Sequence, residues 1–168
     1  MQRQLIQKGL AKASQWAVKA AKEGFHVPIS QSVLDNLVAR VDDPSVRDLS
    51  LRAHPENQVA LSGLKKKGIW VEFAADLRIA APAESDPQRS LVLTLEQAEP
   101  FFARSALLSA LDGVDGVSVV EERILVDLDD MLERNDWVRK IPKALRARLR
   151  ITDVTTEEGR IHLRVAVG

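Results

Sequence analysis

Three histidines, His26, His54 and His162, are the side chains of this sequence best suited to move a proton near neutral pH or to ligate a metal. They stand singly, outside any H-E-x-x-H helix or comparable ligand spacing. Scattered in this way they read as structural or exposed residues, unless folding brings partners to them. Asp127, Asp129, Asp130, Glu133 and Asp136 form an acidic run that could in principle hold a divalent cation. The run lacks the alternating ligand order and central glycine of an EF-hand loop. It reads better as a helix N-terminus, whose dipole favours carboxylates. Asp112-Gly113 and Asp115-Gly116 read as turns. No phosphate-cradling Gly-rich loop with Lys and no G-x-S-x-G elbow is present. Cysteine is absent, which excludes a thiolate metal site, a Cys nucleophile and disulfides. The expectation is a chain without catalytic residues, metal ligands, cofactor or enzymatic activity.

The remaining candidates are charged surfaces. The chain of 168 residues carries 24 basic and 24 acidic side chains, so no global field steers it to nucleic acid. Aromatic residues are 4% of the chain and Tyr is absent, which weighs against base-stacking platforms. No nucleic-acid partner is expected. Lys8, Lys12, Lys19 and Lys22 fall in one stripe of a helix over residues 2–23. Ile6, Leu10, Ala13, Ala17 and Ala20 line its opposite face, with Trp16 at the boundary. Such a helix can lie in a bilayer interface, lysines against anionic headgroups. It can equally dock its apolar face onto its own sheet. Arg139, Lys140, Lys143, Arg146, Arg148 and Arg150 form a basic stretch with no intervening acid. That stretch attracts anionic lipid or an acidic patch, or it is a solvated face balanced by the acidic run before it. Lys65-Lys66-Lys67 is a third cluster, on a turn.

Periodicity names the elements that must position these groups. Val33, Leu34, Leu37 and Val38 form the stripe of a second helix opened by Pro28-Ile29-Ser30, with Ser30 as N-cap, and Asp42-Asp43-Pro44 ends it. The period then becomes 2. Leu49, Leu51 and Ala53 lead through a turn at His54–Asn57 to Val59 and Leu61, a hairpin. After a turn at Lys65–Gly68, alternation runs through Ile69, Val71, Phe73, Ala75, Leu77, Ile79 and Ala81. A strand over Ile69–Ala81 is long against the usual five or six residues and is expected to curve. Trp70 falls on its outer face. Pro82–Gln88 is a polar loop, and Leu91, Leu93 and Leu95 continue the pattern. Pro100 suits the first turn of a helix carrying Phe101, Phe102, Leu107, Leu108 and Leu111, broken by Gly113 and Gly116. Val117–Val120 and Ile124–Leu128 read as strands around a turn at Glu121–Arg123. Asp129 or Asp130 caps a short helix through Met131, Leu132 and Trp137. Residues 142–151 pass from short helix to strand near Leu149. A turn at Glu157-Glu158-Gly159 precedes the last strand, with Ile161, Leu163, Val165 and Val167. The predicted fold class is α+β, a curved antiparallel sheet of about six or seven long amphipathic strands covered on one face by helices. Residues 1–24 form a basic helix, and residues 25–168 one sheet domain.

The order of elements is similar to that of small bacterial tubular-lipid-binding-like proteins. The resemblance covers roughly residues 27–167. It is carried by Val27-Pro28-Ile29-Ser30, Val33-Leu34-Asp35-Asn36-Leu37, Leu49-Ser50-Leu51, Val59-Ala60-Leu61-Ser62-Gly63, the strand from Ile69, Ile151-Thr152-Asp153-Val154 and Gly159-Arg160-Ile161-His162-Leu163. It implies a highly curved sheet wrapped round a helix that holds lipid against an aliphatic interior, in a protein without enzymatic activity. It also implies a protein exported or anchored to a membrane.

Taken together, these readings give the expectation of a non-enzymatic lipid-binding or membrane-surface domain. Acyl chain would lie against Ile69, Val71, Phe73, Leu77, Ile79, Leu91, Leu93 and Leu95. Lys8, Lys12, Lys19, Lys22, Arg139, Lys140, Lys143 and Arg146 would meet the anionic surface. The alternative is an assembly module that binds a protein partner, or its own copies, through the N-terminal helix or a sheet edge. No apolar run approaches the ~20 residues that span a bilayer, and lysines interrupt any signal-like segment near the N-terminus. The sequence as written reads as cytoplasmic, or as periplasmic if a signal has been removed, and peripheral to a membrane in either case.

Overall fold

The structure, a computed structural model, describes residues 15–83, 85, 87–133 and 136–168. Helix α1 is described over residues 15–23. Ala17 and Ala21 on its inner side are wholly buried, while Lys19 and Lys22 face solvent. This is the division of faces that the lysine stripe predicts. Lys8 and Lys12 lie outside the described residues.

Strand β1, Phe25–Ser30, follows directly. The sequence reading opens a helix at Pro28-Ile29-Ser30 with Ser30 as N-cap; the cap position stands, and the structure adds a strand ahead of it. Phe25, Val27 and Ile29 are buried while His26 and Pro28 are exposed, so the segment obeys period 2. Proline is tolerated there because β1 pairs on one side only, with the last strand. Helix α2, Gln31–Ala39, then begins with Ser30 at the cap position, although the Ser30 hydroxyl bonds Ser32 Oγ rather than a backbone amide.

Five strands come next: β2, Val46–His54; β3, Gln58–Lys67; β4, Ile69–Ile79; β5, Ser90–Glu99; and, after helix α3 (Ala103–Asp112), β6, Val117–Val120. Strand β7, Arg123–Asp127, leads into helix α4, Leu128–Leu132. A 3₁₀ turn, Asp136–Lys140, and a one-turn helix α5, Lys143–Arg146, precede strands β8, Leu149–Glu157, and β9, Arg160–Val167. Strand β4 therefore ends at Ile79, short of Ala81. Helix α3 starts at Ala103 rather than at Pro100. Helix α4 is capped by Asp127, whose carboxylate accepts from the Asp129 amide at 3.0 Å, and not by Asp129 or Asp130.

The fold is α+β with a large curved antiparallel sheet. Six strands run in the order β2-β3-β4-β5-β7-β6, and a second sheet of three runs β1-β9-β8. The inner face of the large sheet is continuous across the strands. Ala53, Val59, Leu77 and Leu95 form one row of opposed residues, and Ile79, Leu93 and Ile124 another. The three-stranded sheet supplies the facing layer with Val27, Ile29, Ile151, Val154, Ile161, Leu163 and Val165, all buried. Helix α2 adds Leu34 and Val38, and α3 adds Ala103, Ala106, Leu107, Ala110 and Leu111.

The two sheets are tied at one end by hydrogen bonds between their turns. Thr156 Oγ1 accepts from the Asn57 amide at 2.7 Å and donates to the His54 carbonyl at 2.6 Å. The Gly159 amide donates to the Ala53 carbonyl at 2.8 Å. Free edges are blunted against strand addition. Strand β6 has four residues, β2 breaks register between Arg47 and Ser50 with Asp48 at φ 55°, β1 carries Pro28, and β8 breaks register between Ile151 and Asp153 and is bridged at Ile151 by Gln88.

Candidate functional site

The concave face expected to hold an acyl chain is filled. Phe73, Leu77, Ile79, Leu91, Leu93 and Leu95 are all buried core residues. The gap left between α2 and the two sheets, lined by residues such as Leu34, Leu51, Val59, Leu91 and Met131, is about 40 Å³. Sites for drug-sized ligands have on the order of 300–1,000 Å³. Arg40 and Asp130 also border this gap and bond each other at 2.7 Å, a half-buried pair joining α2 to α4. Filling comes from the three-stranded sheet, which the alternation of single strands does not announce.

Ile69 and Val71 behave differently from the other six, for a topological reason. Strand β5 reaches only as far as Glu99, opposite Ala74. The β3–β4 hairpin runs on to Lys67 opposite Ile69. Residues 69–73 therefore have no strand on the β5 side, an overhang of roughly 17 Å at the rise of an extended chain. Ile69 has the inward parity of the core yet is 73% exposed, because it stands beyond the core's end. Val71 is half-buried.

The segment leaving β5 turns toward this overhang. Phe102 is buried and its ring lies 5.3 Å from Lys67 Nζ, while Phe101, edge-on to Phe102, is 96% exposed. Ile69 at the hairpin tip and Phe101, next to the residue whose ring meets Lys67, are thus two bare apolar side chains. On the outer face the Arg47 guanidinium covers the Trp70 ring at 4.1 Å from its centroid, which supplies the cover that Trp70 requires.

The tip is also basic. Lys65, Lys66 and Lys67 occupy the last three positions of β3. Lys65 donates to Ser45 Oγ at 2.5 Å. Asp43 lies next to it and is held below the usual carboxylate range, mainly by the hydrogen bonds it accepts from the Ser45 hydroxyl and amide, with a smaller contribution from the Lys65 charge. Lys66 and Lys67 have no carboxylate within ion-pair distance among the described residues. Set back from the tip, Asp48, Glu72 and Glu99 line an open depression of about 800 Å³. Charge therefore changes sign along the β3–β4 hairpin, basic and apolar at its tip, acidic behind it.

The other expected headgroup residues lie elsewhere. Arg139, Lys143 and Arg146 line an open cleft of about 730 Å³ together with Arg89, Asp129 and Glu133. Arg89 is ion-paired to Asp129 and donates to the carbonyls of Arg146 and Leu149. This cleft sits by the first residue of β5, and the overhang sits past its last, about 33 Å away along a ten-residue strand. Lys140 is exposed in the 3₁₀ turn. Lys19 pairs with Glu23 one turn on, at 3.9 Å, and Lys22 is exposed on α1. The structure therefore brings Ile69 together with Lys65–Lys67 and separates both from the cleft.

Two of the three histidines meet. His26 Nε2 and His162 Nδ1 are 2.8 Å apart, and His162 Nε2 is 3.0 Å from Glu157 Oε1. His54 instead bonds Glu158, at 2.9 Å, alongside Arg52 at 2.7 Å. These two partners, His54 first, hold the Glu158 carboxyl below the usual range. In the sequence the only trace of the histidine pair is that both positions alternate with buried apolar residues and so face outward from their strands. Among the described residues no group of three or more His, Cys, Asp or Glu side chains is arranged as a metal cage. No described helix is long and apolar enough to cross a membrane. Comparison with known proteins finds no matching family model, no matching curated protein and no matching solved structure.

Proposed function

We propose that this chain is a non-enzymatic domain that associates with an anionic membrane surface through the tip of the β3–β4 hairpin. One observation carries the reading: Ile69 stands bare opposite Lys67 on a hairpin that overhangs the core, Phe101 stands bare next to Phe102, whose ring meets Lys67, and Lys66 and Lys67 have no carboxylate partner among the described residues. Apolar side chains surrounded by lysines suit the boundary between acyl chains and anionic headgroups, where each group finds its preferred surroundings. The acidic depression behind the tip favours the same orientation, since Asp48, Glu72 and Glu99 would stay in water. A lipid held inside the fold is the less supported form, because the interior gap is about 40 Å³. Assembly through a sheet edge is less supported as well, given the short, bulged or proline-bearing edges.

Co-sedimentation with vesicles tests the reading. Binding to phosphatidylcholine vesicles that contain phosphatidylserine, and weak binding to phosphatidylcholine alone, is the expected outcome. Indifference to both vesicle types would sink it. Self-association of the protein that disappears when Ile69 and Phe101 are made polar, without vesicle binding, would assign the tip to a protein contact instead.

A further inference from the structure

The outward face of the three-stranded sheet holds a second constellation, independent of the hairpin tip. His26 on β1 and His162 on β9 sit on adjacent strands, offset by one pair of residues: His26 opposes Arg164, and His162 opposes Pro28. Their rings are nearly parallel, 22° apart in plane with centroids 4.9 Å apart. Glu157 Oε1 lies 3.0 Å from His162 Nε2. A carboxylate only accepts, so the proton of a neutral His162 is on Nε2. That leaves the Nδ1 lone pair of His162 directed at His26 Nε2, 2.8 Å away. A carboxylate that fixes the tautomer of an imidazole and leaves its other nitrogen unprotonated is the arrangement found behind metal-ligating histidines; here that nitrogen accepts from His26 Nε2, a bond that a metal would replace.

We infer that His26 Nε2 and His162 Nδ1 form a bidentate site for a divalent late transition metal, with Glu157 as the positioning residue. When the metal binds, His26 carries its proton on Nδ1, and water completes the coordination from the exposed side.

The spacing also selects among metals. At metal–nitrogen distances of about 2.0–2.1 Å, two nitrogens 2.8 Å apart subtend about 85° at the metal. That angle suits the tetragonal or octahedral preferences of Cu²⁺ and Ni²⁺ and falls well short of the tetrahedral angle of Zn²⁺. The surrounding face does not repel a cation, because Arg160 and Arg164 are offset by Glu157 and Asp153 on the opposed strand. His54, bonded to Glu158 on β2's last residue, is not part of the site.

The test uses tag-free full-length protein stripped with chelator, titrated separately with Cu²⁺, Ni²⁺ and Zn²⁺ by calorimetry, with the Cu²⁺ complex read by electron paramagnetic resonance. One equivalent of Cu²⁺ should bind, with hyperfine structure from two nitrogens, and affinity should fall in the order Cu²⁺, Ni²⁺, Zn²⁺. His26→Ala and His162→Ala should each abolish that two-nitrogen signal, and His54→Ala should leave it intact. Glu157→Gln should weaken Cu²⁺ binding by about 10–100-fold, as loss of a carboxylate behind a ligand does. The nitrogen count on the unaltered protein needs no variant to fold. A signal from fewer than two imidazoles, survival of the site in His26→Ala, or tighter binding of Zn²⁺ than of Ni²⁺ would overturn the assignment.

Discussion

Replacing Ile69 and Phe101 together by serine separates the membrane reading from a purely structural one. Burying a whole Ile or Phe side chain is worth about 1.5–3 kcal/mol each. Phe101 is 96% exposed and Ile69 73%, so nearly all of that surface is available to an acyl boundary. Allowing for incomplete insertion, the pair contributes about 3–4 kcal/mol, or roughly 10²–10³-fold in partitioning at ~1.4 kcal/mol per decade. Lys66→Gln with Lys67→Gln removes about 1 kcal/mol per lysine near an anionic surface, roughly 30-fold together. The two double variants should differ in kind. The lysine deficit should vanish as salt rises, because headgroup attraction is screened over about 10 Å at 0.1 M. The serine deficit should persist. Both variants should unfold within about 0.5 kcal/mol of the parent in urea, since solvent-facing side chains contribute little to stability. The assay is vesicle co-sedimentation across a salt series, with urea unfolding alongside. Vesicle binding undiminished by the serine pair would refute the role of the tip. Destabilisation comparable to a core truncation would show that the overhang is packed rather than free.

Four further outcomes follow from the packing. Leu163→Ala, at a wholly buried position between Val27 and Val154, should cost about 2–5 kcal/mol in urea unfolding, and a smaller loss would mean that the two sheets do not share one core. Thr156→Val keeps shape and strand propensity but strands the Asn57 amide and the His54 carbonyl; a loss of about 1–3 kcal/mol should appear in the same assay. Gly116→Ala should cost about 1–3 kcal/mol, because Gly116 has φ +81° and an added Cβ would sit 2.9 Å from Asp130 Cγ; thermal unfolding of G116A beside Arg40→Ala separates the backbone strain from the loss of the ion pair that holds Asp130. Glu158 has a depressed pKa in the folded state, so its contribution is present above the ordinary carboxylate range and fades as pH falls through the lower folded value; His54→Ala should flatten the acid limb of the melting-temperature profile, and an unchanged limb would show that Arg52 alone holds the carboxylate.

Much of the large sheet is legible in the sequence because its strands bury one face only. Leu51, Ala53, Val59, Leu61, Leu77, Leu91, Leu93 and Leu95 alternate with outward positions that are mostly polar, and every one of them is core. Element ends are less legible. The Asp127 cap lies two or three residues before the expected Asp129 or Asp130 because all three offer the same chemistry, and only the backbone decides which of them precedes the first helical turn. Strand β1 was hidden by Pro28. Proline before a Ser cap is a helix-start signal, and the competing fact, that β1 is an edge whose outward amide needs no partner, is a property of the sheet. Residues 142–151 do pass from helix to strand at Leu149, where the apolar period changes.

The site was legible in its parts and not in its grouping. Alternation assigns Ile69 and Leu77 to the same face of one strand and cannot say that one is core and the other bare. What separates them is the reach of neighbours: β5 stops opposite Ala74, and the sheet that fills the interior is made from residues 25–30 and 149–167, at the two ends of the described chain. That same long-range closure brings His26 to His162 across 136 residues, a pairing no local spacing encodes. Closing the sheet from both chain ends thus does two things at once. It consumes the interior that an acyl chain would need, and both proposed sites accordingly lie on surfaces it does not cover, the overhanging basic tip and the outward face of the small sheet. If that reasoning holds, a variant that loosens the small sheet, such as Leu163→Ala, should weaken metal binding at His26 and His162 while leaving vesicle binding at Ile69 in place.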